Sequence, residues 1–319
     1  MGVTFNFGQF FLSGRTVIGD TLHEIGLKND KLWVLTPDTG AALKAFKRDC
    51  GDRFVDVGIA EQNVVGIAAG LALEGNIPVI MGMIPFMTMR ACEQVRTDVC
   101  YQNLPVRIIG TGGGLTSEGG STHNAMEDIA LMSSLVNMTV ISIGDPNMIR
   151  DILWASMKYP GPMFIRLAQG KKDRVIYEEG TMKYEIGKGI IAKEGKDVII
   201  FAHGEMVFQA LEAAFRLEAE GISVGVIDMF TIKPLDKELV LRAVEETGRI
   251  VVLEDHLMYG GLATAISDLL IDRAVYPKAF RRLGIPQVYA GFGTGEELRA
   301  KYGYDTEATV RAVREVLEK

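Results

Sequence analysis

A carboxylate stands where a strand gives way to a helix. In Asp56-Val57-Gly58-Ile59-Ala60-Glu61-Gln62-Asn63 a strand-like run ends, a glycine turns the chain, and Glu61 opens the next segment. The body of that segment, Val64-Val65-Gly66-Ile67-Ala68-Ala69-Gly70-Leu71, is apolar on every side, which predicts a buried helix. Gly66 and Gly70 lie one turn apart and leave room for a second backbone. A carboxyl at the edge of a buried helix has its pKa raised unless a charge compensates it. A raised pKa suits an acid that shares a proton with a ligand. The same position also suits a carboxylate that only caps or pairs at a helix start.

A second feature is Gly112-Gly113-Gly114-Leu115-Thr116-Ser117-Glu118-Gly119-Gly120-Ser121-Thr122-His123-Asn124, between a strand and a helix. Long loops at the C-terminal edge of a parallel sheet are where ligands bind. His123 leaves this loop with a side chain suited to proton exchange near neutral pH; a structural turn ending in a capping histidine reads equally well. The loop is not a Walker sequence, because no Gly-Lys-Ser/Thr occurs. Phe86, just past another strand, offers a face for a flat heterocycle or a side chain for the core. Arg166 ends a strand and suits either an anionic substrate or a salt bridge. Glu254-Asp255-His256 has no second His or Cys in spacing and reads as structural. No protein-ligated metal is expected.

These residues need a parallel sheet to hold them. From Lys31 to Leu167 strand-like and helix-like blocks alternate, which indicates a parallel sheet covered on both faces. Helices are predicted over 41–48, 61–73, 88–101, 125–135 and 146–157. A charged stretch from Gly170 breaks the pattern, and a second alternation begins at Val198. The expectation is an α/β protein of two three-layer domains, the second smaller and mostly parallel. The proposed division is an N-terminal extension at 1–14, a domain at 15–168, a linker at 169–190 and a domain at 191–319. The extension is rich in phenylalanine (Phe5, Phe7, Phe10 and Phe11) and is assigned to packing on a partner.

The 319 residues carry a formal net charge of −7, which argues against nucleic acid. Three cysteines, Cys50, Cys92 and Cys100, without CxxC spacing fit free thiols in a reducing compartment. The N-terminus lacks the basic and apolar regions of a signal peptide, and no apolar run is long enough for a membrane helix. The expected location is cytoplasmic.

Several of these motifs together resemble one family. Phe54-Val55-Asp56-Val57-Gly58-Ile59-Ala60-Glu61-Gln62-Asn63 is similar to the pyrimidine-domain motif of transketolases and deoxyxylulose-phosphate synthases. Glu118-Gly119-Gly120-Ser121-Thr122-His123, continuing into Glu127-Asp128-Ile129-Ala130-Leu131-Met132, resembles the transketolase Glu-Asp-Gly-Pro/Ala-Thr-His loop. Thr231-Ile232-Lys233-Pro234-Leu235-Asp236, Glu254-Asp255-His256…Gly260-Gly261-Leu262 and Lys301-Tyr302-Gly303 resemble the family's C-terminal domain. The resemblance implies thiamin diphosphate. Glu61 would hydrogen-bond the ring nitrogen of the aminopyrimidine and favour the tautomer that takes the thiazolium proton. Phe86, or its neighbour Met87, would stack on the pyrimidine, and Asp38 would belong to the cofactor site. His123 would contact substrate hydroxyls and Arg166 a substrate phosphate.

The family's Gly-Asp-Gly…Asn segment for Mg²⁺ and the diphosphate is not found in the sequence. The resemblance is therefore to the C-terminal subunit of a split transketolase. Its Mg²⁺ ligands would come from a partner N-terminal transketolase subunit, in a dimer of heterodimers. Gly119 stands where sugar-phosphate transketolases carry Asp, and Thr111 where many carry His, so an unusual donor or acceptor sugar is expected. Two other readings remain open. One is a deoxyxylulose-phosphate-synthase-like or 2-oxo acid dehydrogenase beta-like thiamin enzyme; the other is a non-catalytic assembly subunit of the same fold.

Overall fold

A computed structural model describes residues 10–116 and 119–319. Phe5 and Phe7, and Ser117-Glu118 of the glycine-rich loop, lie outside the described residues. In chain order the strands are β1 (Phe11–Leu12), β2 (Leu32–Thr36), β3 (Phe54–Asp56), β4 (Ile77–Met83), β5 (Arg107–Thr111), β6 (Thr139–Ile143) and β7 (Met163–Leu167). They continue with β8 (Asp173–Arg174), β9 (Ile190–Lys193), β10 (Val198–Ala202), β11 (Val224–Asp228), β12 (Thr231–Lys233), β13 (Arg249–Leu257) and β14 (Ala279–Ile285).

Two main sheets carry these strands. The first has the order β12-β6-β7-β5-β4-β2-β3 and the second β14-β13-β10-β11-β9. β2 to β7 run parallel, as do β10, β11, β13 and β14. β12 and β9 are the antiparallel members. Every residue of β5, β6 and β7 is buried, as continuous apolar strands under two helical layers must be. The fold is therefore α/β in two mostly parallel units, as expected.

Several local expectations give way. The stretch expected as one helix over 88–101 is a π-helical turn Phe86–Arg90, a short turn Cys92–Gln94 and a second π-helical turn Val95–Cys100. In the first turn the Ala91 N–H reaches back five residues to the Phe86 carbonyl. The Glu61–Leu73 helix is not buried all round. Gln62, Asn63, Gly66, Gly70 and Leu73 face outward, and no atom lies within 4 Å of a Cβ placed on Gly66 or Gly70. Near the start of the described residues β1 pairs with β8, and the Lys172 ammonium sits 4.4 Å over the Phe11 ring.

β12 crosses over. It leaves the second sheet and extends the first at β6, and Lys233 Nζ donates to the Ser133 and Leu135 carbonyls at 2.9 and 2.6 Å. No helix among the described residues is long and apolar enough to cross a membrane.

The segment around Ile176 and Tyr177 is held from both sides. The Asp145 carboxylate accepts from the Asn147, Ile176 and Tyr177 amides, and the Tyr177 hydroxyl donates to Asp228 Oδ2 at 2.8 Å. Burial pushes the Asp228 carboxyl up to about 8 and the Asp145 carboxyl up to about 6 from the usual 3.8. A folded state that keeps a proton the unfolded chain has released loses stability as pH rises. For Asp228 that window runs from about 4 to about 8, with a limiting slope of about 1.4 kcal/mol per pH unit. Thermal unfolding across this range is expected to show a falling Tm, and Asp228→Asn to flatten the fall. The Asp145 contribution persists in that variant, so some slope remains below about pH 6.

Candidate active site

β5, β4, β2 and β3 are neighbours and parallel, so their C-terminal ends share one edge. The segments after them carry Asp38 (after β2), Glu61 (after β3), Phe86 (after β4) and the loop to His123 (after β5). Crevices at such an edge are where parallel sheets place ligands.

Glu61 opens its helix with 3% of its surface exposed. The charge partner that its burial demands is Arg90, whose Nη1 donates to Oε2 at 2.7 Å. No other described residue hydrogen-bonds this carboxylate, which leaves Oε1 for an external donor. The Arg90 guanidinium also lies 4.3 Å over the Phe86 ring, and that ring meets His123 edge-on, with centroids 5.2 Å apart. The wide π turn brings Phe86 and Arg90 onto one side, and such turns recur at functional sites. Met87 is fully buried. It fills the space left by Gly82, where a Cβ would come within 2.8 Å of Met87 Cγ. Phe86 is thus the aromatic that borders the crevice.

Asp38 is exposed at the end of β2, in the left-handed region with φ 59°. Its amide donates to Asp56 Oδ1 at 3.1 Å, and the same oxygen accepts from Gly58 at 3.0 Å. One carboxylate therefore couples the turn after β2 to the turn that delivers Glu61.

His123 Nδ1 lies 2.9 Å from Thr122 Oγ1. Its ring rests on Gly119, where a Cβ would approach His123 Cγ to 2.5 Å. A side chain at position 119 would displace the imidazole. Beside His123 is a cavity of about 200 Å³ lined by Arg15, Gly112, Gly119, Gln169 and Lys171 among others. Arg15 Nη2 donates to Thr111 Oγ1 at 3.0 Å, and its Nε is buried without a partner. Burial lowers the Arg15 pKa from its ordinary value, opposed by Asp173. Sequence reasoning missed both Arg15 and Arg90. Arg90 had a signal in its place four residues after Phe86; Arg15 shows only as a cation near the start of the first helix, Gly14–Gly26.

Arg166 belongs elsewhere. It is 1% exposed, its Nε donates to Asp128 Oδ2 at 2.7 Å, and its Nη2 donates to the Asp255 carbonyl at 2.7 Å. Burial works against its charge, but the attraction of Asp128 and Asp255 more than offsets this, and its pKa is raised. Of the two uses open to a cation at this strand end, the geometry shows the salt bridge. The guanidinium is walled in between the two units. His203 shares that seam, fully buried, with Nδ1 2.9 Å from Ser142 Oγ.

Two family descriptions cover most of the chain. "Transketolase, pyrimidine binding domain" matches residues 12–172 and "Transketolase, C-terminal domain" residues 187–308. A 1-deoxy-D-xylulose-5-phosphate synthase from Geobacter metallireducens is 38% identical over 301 residues, covering 93% of this chain and 48% of that protein. A 6-deoxy-6-sulfo-D-fructose transketolase subunit from a Clostridium species is 36% identical over 308 residues, covering 96% of this chain and 94% of the subunit. Among solved structures, a split gene transketolase described as an inactive beta4 tetramer superposes with a TM-score of 0.85 at 37% identity, covering 96% and 98% of the two chains. The chain spans about half the length of the synthases it matches and nearly all of the subunit relative. Taken with the geometry of the sheet edge, these matches establish that the chain belongs to the transketolase family.

Proposed function

We propose that this chain is the pyrimidine-binding and C-terminal half of a two-chain thiamin diphosphate enzyme that moves a two-carbon ketol unit from a ketose donor to an aldehyde acceptor. Its working parts are residues 15–168 and 191–319 about a linker at 169–190. The observation that carries this reading is Glu61: a buried carboxylate with one oxygen held by Arg90, whose guanidinium in turn lies over Phe86 next to His123.

These residues fit an aminopyrimidine. Glu61 would hold the ring nitrogen through Oε1, while Arg90 keeps the buried acid charge-balanced. Phe86 offers an aromatic edge to the ring, and Asp38 stands at the neighbouring strand end. Thiamin diphosphate, when bound, supplies the nucleophilic carbon for cleavage and transfer. This chain orients the cofactor through a hydrogen bond at Glu61 Oε1 and places His123 to donate to or accept from substrate hydroxyls. Arg15 and Lys171 line the cavity beside His123 and would receive an anionic end of the sugar. One relative is named for a sulfonated ketose and another for a sugar phosphate, which supports an anionic substrate.

Among the described residues no group of three or more His, Cys, Asp or Glu side chains converges as a metal site. The reading assigns Mg²⁺ and the diphosphate to a partner N-terminal subunit. The outward stripe of Gly66, Gly70 and Leu73, with Ile59 and Met89 also exposed, is the surface offered for assembly into a dimer of heterodimers. A relative described as an inactive beta4 tetramer supports a half that associates with itself yet does not act alone. Three unpaired cysteines fit a cytoplasmic location.

Co-purification from native lysate tests the reading. The expected result is a stoichiometric partner and thiamin diphosphate in the complex but not in the isolated chain; cofactor held tightly by the isolated chain would overturn it. Release of CO₂ from pyruvate by the complex would instead favour a synthase-like reaction. In the complex, Glu61→Gln is expected to lower ketol transfer by roughly 10²–10⁴-fold with assembly intact. Arg15→Met is expected to raise KM for an anionic donor about tenfold or more while sparing an uncharged analogue. Gly66→Leu is expected to block co-elution with the partner without lowering the Tm of the isolated chain, since the position is open and helical.

A further inference from the structure

The loop that carries His123 is closed at its neck and held there by the C-terminal unit. Gly114 and Ala125 exchange two backbone hydrogen bonds, Gly114 N to Ala125 O at 2.7 Å and Ala125 N to Gly114 O at 3.1 Å. These two bonds join the entry and exit of the segment that carries His123. At this neck stands Asp255, near the end of β13 in the other unit. Its Oδ1 accepts from the Leu115 amide at 3.3 Å and from the Tyr304 hydroxyl at 3.0 Å. Its Oδ2, buried and without a hydrogen-bond partner, presses on Gly114, where a Cβ would fall 1.9 Å away. Two residues on, the Leu257 amide donates to the Met126 carbonyl at 2.9 Å, just beyond the neck. Between them, His256 Nε2 accepts from the Ala130 amide at 3.2 Å. Arg166 closes the arrangement, bound to the Asp255 carbonyl and to Asp128.

Three successive residues of β13 therefore grip both sides of one loop. His123, which would touch substrate, lies on the far side of that neck, with Gly119 beneath its ring. We infer that Asp255 is a positioning residue: it acts through Gly114 and Leu115 to set where His123 stands over the crevice. The C-terminal unit then takes part in the site without reaching it. This rests on the proposed role of His123 at substrate hydroxyls.

Hydrogen–deuterium exchange of the full chain tests the grip independently of activity. Asp255→Ala is expected to speed exchange of the amides at 112–126 about tenfold or more, with β10 and β11 unchanged. Tyr304→Phe, which keeps the carboxylate but removes one of its donors, is expected to give a smaller increase confined to the same loop. Asp255→Asn, which retains an acceptor for Leu115, is expected to restore slow exchange. Unchanged loop exchange in Asp255→Ala, or an increase spread equally over β10 and β11, would overturn the proposal. In the assembled complex, Asp255→Ala is expected to lower kcat/KM about tenfold or more and Asp255→Asn to recover it. Loss of loop protection with no change in kcat/KM would overturn the positioning role. A wild-type complex without ketol transfer would sink the functional reading and leave the exchange result standing.

Discussion

A guanidinium buried between two sheets must be neutralised where it stands, and Arg166 sets that condition for the whole molecule. Taking such a charge out of water costs several kcal/mol unless partners and hydrogen bonds replace the solvent. The partners here come from both units: Asp128 from the helix that leaves the glycine-rich loop, and the Asp255 carbonyl from β13. Neither unit satisfies Arg166 alone. The same contact fixes where the loop enters and leaves, and through the loop it fixes one wall of the crevice.

The opposite wall depends on a second compensated charge. Glu61 is buried at the start of an apolar helix, and Arg90 both pairs with it and covers Phe86. Arg90 remains half in solvent, so its guanidinium joins a buried acid to a half-buried aromatic. The two walls differ in kind. One is a closed seam that resists movement; the other is open and is completed by whatever occupies the crevice.

Much of this is legible in the residues. The bounds expected for the Glu61–Leu73 helix agree with those found, because a glycine turn marks its start and an unbroken apolar run its length. The stretch after Phe86 reads as one helix because π turns keep the apolar spacing of a helix while shifting which side chains meet. β14 escapes sequence reasoning because Arg281 and Arg282 break its alternation, as exposed charges do on an edge strand. β1 and β12 are too short to show a period. Arg166 has two uses that sequence does not separate, and only burial decides between them. Arg15 shares a cavity with His123 through a fold that brings residues about a hundred positions apart together, a distance no local pattern records.

The crossing of β12 also bears on how the chain is made. Until β12 pairs with it, β6 is the edge of the first sheet, and its run of buried apolar residues presents unpaired backbone to any other strand. Residues 231–233 leave the ribosome after β6 by an interval on the order of ten seconds at ordinary synthesis rates. Once β7 has followed β6, a nascent first unit has all its parallel strands yet stays unsealed on one side. The seal is a three-residue strand from the far unit, so the first sheet reaches its protected form only after β9, β10 and β11 of the second have been translated.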